Sequence, residues 1–230
     1  MKLSKLLLLI VVLLLPAACK PVTAPPATQP STEQPSAAAP AVMPAAVEYN
    51  LGEGTLVQAR FPEDSRFRNM PVRLNGLIAV PPGGGGPYPV VVILHGTHPG
   101  CPEIEGGIDP WPCDPALEQP NYQGFGYLAS ALAANGYVAL SININAENTF
   151  GFGEPVPGER LEQLLDLHLT ALAEAAAGGE NNFGVELAGR ADVHRLALFG
   201  HSRGGEMAFS LANNAAHPLG SEGGAYGPAA

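Results

Sequence analysis

The stretch Arg195-Leu196-Ala197-Leu198-Phe199-Gly200-His201-Ser202-Arg203-Gly204-Gly205 decides the fold. Its first five residues form a short apolar run suited to a strand buried in a sheet, and Arg203 to Asn214 reads as an amphipathic helix. Between them, Gly200-His201-Ser202-Arg203-Gly204 is G-x-S-x-G set between a strand and a helix. Such a turn must be sharp for the serine hydroxyl to point away from the sheet and toward a substrate. Glycines two before and two after the serine remove the Cβ atoms that would collide where strand and helix cross. The setting marks Ser202 as a nucleophile, against the plainer reading of a glycine-rich turn.

Working outward, Val90-Val91-Val92-Ile93-Leu94 is a second continuous apolar, β-branched run, as in strands covered on both faces. It ends in His95-Gly96-Thr97. Glu53 to Phe61, Val72 to Val80 and Tyr137 to Ile142 read as further strands. Tyr122 to Asn135 reads as a helix with Phe125, Leu128, Ala129, Leu132 and Ala133 on one face, closed by Gly136 in the left-handed region. Glu159 to Ala177 is a longer helix, with Leu161, Leu164, Leu165, His168, Leu172 and Ala176 on one face. Gly83 to Gly86 reads as a mobile hairpin loop between strands, not a phosphate cradle, since no helix or Lys follows it as such a cradle needs. Strands alternating with helices predict an α/β sheet.

His95-Gly96-Thr97 after an early strand and the serine turn after a later one, about 105 residues on, resemble the α/β-hydrolase superfamily. The resemblance runs from about Glu53 to the C-terminus and is strongest to secreted bacterial esterases, polyester hydrolases and dienelactone-hydrolase-like enzymes. It implies a mostly parallel sheet with helices on both faces, and an acyl-enzyme on Ser202 formed without a cofactor. The backbone N–H groups of Thr97 and Arg203 would form the oxyanion hole. His95, Gly96, Gly200, His201 and Gly204 would be scaffold and turn residues, with His95 shaping the oxyanion loop and not acting as base. Position suggests that the segment from His98 to Pro120 lies beside the site and supplies Trp111 or Tyr122 as apolar walls. The substrate class is a small-molecule or polymeric ester.

In that superfamily the acid and base follow the serine, yet the 28 residues after Ser202 contain one histidine, His217, and the carboxylates Glu206 and Glu222. Carried by the intervening helix at about 1.5 Å per residue, His217 would stand roughly 20 Å from the hydroxyl. A general base must come within about 3 Å. The expectation is therefore a C-terminally truncated hydrolase, its C-terminal strands missing and the Arg195 to Phe199 strand left as an edge. As written it would be poorly soluble and nearly inactive.

The remainder sets location. Residues 1–18 are read as a signal peptide, with Lys2 and Lys5 before the ten-residue apolar run Leu6 to Leu15. Ala17-Ala18-Cys19 resembles a lipobox, although Pro16 stands where the pattern favours Leu. Lipidation at Cys19 and ordinary cleavage are the two outcomes, giving a cell-envelope or a secreted protein, with membrane contact only through the lipid. Residues 19–46 form a Pro/Ala-rich tether, too poor in large apolar side chains to pack, and residues 47–230 the partial hydrolase domain. The net charge of −10 argues against nucleic acid as partner, since phosphates are met with Lys and Arg.

In an exported chain Cys101 and Cys113 are expected to form a disulfide. The alternative, a metal site using His95, His98 and Cys101 with Cys113 near, is not adopted; nor is calcium at Glu103, Glu105, Asp109 and Asp114, whose spacing matches no EF-hand loop. The functional expectation is a serine ester hydrolase by motif, against a non-catalytic exported lipoprotein module that keeps the fold for binding.

Overall fold

A computed structural model describes residues 43–65, 68–102, 111–150 and 159–216, all within one compact unit. The strands are β1 (Val47–Val57), β2 (Asn69–Ala79), β3 (Tyr88–Leu94), β4 (Val138–Ile142) and β5 (Ala191–Gly200). The helices are α1 (Gly126–Ala134), α2 (Asn145–Phe150), α3 (Glu159–Ala176) and α4 (Arg203–Ala216), with 3-10 turns at Pro115–Leu117 and Asn121–Phe125. The protein is α/β.

The sheet order is β1-β2-β4-β3-β5. β1 pairs antiparallel with β2, and β2 antiparallel with β4, whereas β3 is flanked by parallel partners, β4 and β5. The sheet is therefore mixed, and the expectation of a mostly parallel sheet holds only for its β4-β3-β5 half. The Gly83–Gly86 loop also departs from expectation. β4 is inserted between β2 and β3, so the loop leads across the sheet rather than closing a hairpin.

Period-two alternation divides the sheet's two faces. Val91, Ile93, Ala79 and Ala139 turn to one side, where Ala129 and Ala133 of α1 cover them with Phe125, Leu128 and Leu132 around. Val90, Val92, Leu94, Val138, Leu140 and Ile142 turn to the other, against Leu161, Leu164, Leu169 and Leu172 of α3 and Met207 and Leu211 of α4. Helices thus cover both faces. α1 stops as its sequence requires, with Gly136 at φ +88°, where a side chain would be strained.

β5 is less buried than its composition suggests. It lies at the sheet's edge, and Arg195, Ala197 and Phe199, on the same face as Val91 and Ile93, are exposed where the cover of α1 ends, Phe199 at 44%. On α3, His168 is fully buried; its Nδ1 lies 3.0 Å from the Tyr49 hydroxyl, and its Nε2 has no hydrogen-bond partner among the described residues.

The Cys101–Cys113 disulfide is present, with Cα atoms 5.8 Å apart. Within the disulfide loop, residues 103–110 lie outside the described residues. Trp111 is buried in the core with its indole N–H donated to Pro71 O at 2.8 Å, and the Arg73 guanidinium lies 5.2 Å from its ring centre. Tyr122 is also buried; burial, with the Glu48 carboxylate nearby, pushes its hydroxyl pKa up to about 12.

Candidate active site

Parallel pairing builds the site. Leu94 of β3 is in register with Gly200 of β5 and with Ile142 of β4, so three strands end together. His95-Gly96-Thr97, His201-Ser202-Arg203 and Asn143-Ile144-Asn145 leave side by side at the carboxyl ends of parallel strands, the usual place for ligand sites in open α/β sheets. His201 N–H donates to Leu94 O at 3.1 Å, tying the serine turn to the end of β3.

Ser202 is at φ +54°, the one non-glycine residue in the left-handed region among those described. Holding a serine there costs about 1–3 kcal/mol, a strain that persists only where the surroundings enforce it. The enforcement is visible at the glycines. A Cβ on Gly200 would lie 2.0 Å from Gly204 O, and one on Gly204 would lie 2.3 Å from Leu94 O. Strand, turn and helix therefore pass one another at backbone contact. Ser202 is exposed, and α4 begins at Arg203, with Gly205 N–H donating to Ser202 O at 2.9 Å. No described side chain is hydrogen-bonded to the Ser202 hydroxyl.

His95 is 1% exposed and lies beneath the neighbouring turn. Its Nε2 accepts from Ile144 N–H at 3.1 Å, which assigns the proton to Nδ1, placed 2.8 Å from Gly96 O as donor. Burial lowers its pKa to about 4, although the Gly96 carbonyl opposes the shift. The ring is therefore neutral near pH 7 and held between two backbone groups. Thr97 is exposed; its hydroxyl is 3.4 Å from Asn148 Oδ1, and its N–H pairs with no acceptor among the described residues. Gly96 packs on the serine turn, since a Cβ there would lie 3.1 Å from Ser202 Cβ and 3.0 Å from His201 Nδ1.

A cleft of about 640 Å³ opens beside these turns, lined by His95, His98 and His201 and by Gln119, Asn121, Gln123, Phe125 and Tyr127. The ring centres of Phe125 and His201 are 6.2 Å apart. The aromatic walls are thus Phe125 and Tyr127, not Trp111 or Tyr122. The latter two went inward because each has an apolar body and a polar tip that finds a partner in the fold.

Glu118 went unremarked in the sequence. Its side chain is 7% exposed and receives Arg73 Nη1 at 2.7 Å, Asn143 Nδ2 at 2.7 Å and Asn145 Nδ2 at 2.9 Å. This binds the cleft-side loop to the end of β4. The available signal was Asn143, Asn145 and Asn148 directly after a strand, a density of amides that demands partners once buried. Asn143 Oδ1 also accepts Asn145 N–H at 2.9 Å, starting α2, which the sequence reading had not placed.

Cys101 is disulfide-bonded, so it presents no thiolate to a metal beside His95 and His98. No group of three His, Cys, Asp or Glu among the described residues could hold a metal ion. Cys19, Glu103, Glu105, Asp109, His217 and Glu222 lie outside the described residues. No helix among the described residues is long and apolar enough to cross a membrane.

The two buried histidines give a pH prediction. Burial lowers the pKa of His168 to about 3 and that of His95 to about 4, below the unfolded value near 6.5. The unfolded chain therefore binds protons that the native state refuses. Stability is full above about pH 6.5 and falls as pH drops toward 4, by about 1.4 kcal/mol per pH unit for each histidine. Urea midpoints measured between pH 7 and 4.5 should fall accordingly. His168→Gln should remove about half of the slope, and an unchanged slope would remove His168 from the account.

No family model matches the chain, and no curated protein matches it. Among solved structures, one named "m3DLH" is similar at 19% identity and a TM-score of 0.35, over 74% of this chain. The chain spans about half of that structure, 55% of its length. A likeness this distant supports neither a fold family nor an activity.

Proposed function

We propose that the protein is a serine hydrolase of carboxylic esters, with an α/β-hydrolase-type sheet and Ser202 as nucleophile. The observation that carries this is the backbone of Ser202: an exposed serine at positive φ, between glycines that exclude Cβ atoms, at the carboxyl end of a parallel strand. A sequence under no functional demand would relieve that strain with glycine.

In the proposed reaction the Ser202 hydroxyl oxygen bonds to the ester carbonyl carbon as its proton passes to a base. The tetrahedral intermediate then expels the alcohol, which takes up a proton, and water hydrolyses the acyl-serine. The N-terminus of the 14-residue helix α4 is electropositive and favours the oxyanion, with Arg203 N–H and Thr97 N–H as the proposed donors. The cleft is walled by amides, aromatic rings and histidines, without Lys, Arg, Asp or Glu, which suits an uncharged ester. The Leu6 to Leu15 run and Cys19 support export, by lipid anchoring or by cleavage.

The test is labelling by a fluorophosphonate probe of the protein expressed together with any natural sequence that follows residue 230, because the expected base and acid follow the serine. Labelling should be saturable and fall to background in Ser202→Ala. Failure to label, or equal labelling of the variant, rejects the hydrolase and favours an exported binding module.

A further inference from the structure

Asn148 is buried on α2, 3% exposed, and no role in the reaction proposed above requires it. Its amide faces the loop that carries Thr97. Nδ2 donates to Gly96 O at 3.1 Å, and Oδ1 accepts from the Thr97 hydroxyl at 3.4 Å. Gly96 O receives a second donor, His95 Nδ1 at 2.8 Å, whose ring is held in turn by Ile144 N–H on Nε2 at 3.1 Å.

The Gly96–Thr97 peptide is trans, the cis bonds among the described residues being Gly86-Pro87 and Trp111-Pro112. In a planar trans peptide the C=O of one residue and the N–H of the next point in opposite directions. Two donors that hold Gly96 C=O toward α2 therefore hold Thr97 N–H away from it. We infer that Asn148 is a positioning residue: by fixing the Gly96 carbonyl, it aims Thr97 N–H out of the fold as an anion-stabilising donor beside Ser202.

The arrangement suits that task. Gly96 packs against the serine turn without a side chain between them, and Thr97 N–H has no acceptor among the described residues to draw it aside. His95 alone cannot fix the plane as firmly, since its bond to Gly96 O joins adjacent residues of one loop. Asn148 comes from a separate element, and Glu147 beside it is in a buried ion pair with Arg160 of α3. The loop is thus referred to the body of the protein.

The inference rests on the hydrolase reading for its functional part and on backbone geometry for its structural part, and the two are tested separately. Asn148→Asp keeps shape and the acceptor for Thr97 but replaces the donor to Gly96 O by an oxygen. Asn148→Ala removes the donor without adding charge, which covers failure of the aspartate variant to fold.

In the protein expressed with any natural sequence that follows residue 230, kcat for a small activated ester such as p-nitrophenyl acetate should fall about 10- to 100-fold, less than the roughly 100- to 1000-fold loss on outright removal of an oxyanion donor. KM should stay within about threefold. A merely structural role would move both with folding, or neither. Crystal structures of the variants supply a reading independent of activity, with the Gly96–Thr97 plane rotated or split between orientations. An unchanged plane, or an unchanged kcat with the plane rotated, overturns the inference. Should Ser202→Ala retain turnover, the hydrolase reading fails, while the peptide plane still decides whether Asn148 positions it.

Discussion

Gly204→Ala should destabilise the fold by about 3 kcal/mol or more, the upper end for overpacking, and leave little soluble protein, as should Gly200→Ala. The added methyl on Gly204 would sit 2.3 Å from Leu94 O and 2.5 Å from His95 O. On Gly200 it would sit 2.0 Å from Gly204 O and 2.2 Å from Gly204 C. All four are backbone atoms, so no side chain can rotate away; β3, β5 or α4 must shift, and with it a core whose packing admits little slack. Gly205→Ala is the internal control. Its methyl would meet Gly200 O at 3.3 Å, a small displacement, and alanine gains about 1 kcal/mol over glycine within a helix. It should be nearly neutral. Thermal melts of the three variants check the contrast, and three equal melting temperatures would mean that the close crossing of strand and helix is wrong.

Arg160→Ala and Glu147→Ala should each cost about 3–5 kcal/mol, because removing one partner strands a buried charge. Arg160 Nε lies 3.0 Å from Glu147 Oε2, with side chains 3% and 0% exposed, and Arg160 Nη2 donates to Oε1 at 3.4 Å. The attraction alone does not set this figure, since desolvation offsets most of it. The loss comes from leaving an ion in a medium that cannot hydrate it. The double variant should therefore cost clearly less than the two singles added, a positive coupling readable in a double-mutant cycle by urea denaturation. Additive costs would show that the groups do not interact.

What the sequence disclosed follows the range of each signal. Val90 to Leu94 is a strand because five consecutive apolar residues suit a position with neighbours on both faces, and β3 is the strand with parallel partners on both sides. The helix face from Phe125 to Ala133 and the stop at Gly136 were legible because periodicity and chirality act within a few residues. The serine turn was legible for the same reason.

Strand order was not, because the insertion of β4 between β2 and β3 joins segments some 60 residues apart, and no local pattern encodes it. Partial exposure of β5 likewise depends on what lies beside it. Glu118 and Asn148 were missed in the site because a lone carboxylate or amide in a polar stretch reads as surface. The burial of Glu118 exists only once β2, β4 and the 111–120 segment meet, and that of Asn148 only once α2 meets the loop after β3. The histidine walls were half legible: His98 lines the cleft, in keeping with the expected place of the His98 to Pro120 segment, whereas His201 had been read as a turn residue and not as a cleft wall.

The pairing of Leu94 with Gly200 separates what must stay constant in this protein from what is free to vary. The distance between the two turns is one strand spacing, about 4.8 Å, a property of the ladder and not of any loop. Insertions or replacements in the segments that carry Gln119, Asn121, Phe125 and Tyr127 would change what enters the cleft while leaving that spacing untouched. Selection or engineering could therefore exchange the surfaces around the cleft on this framework without having to rediscover the alignment of Ser202 with the turn beside it.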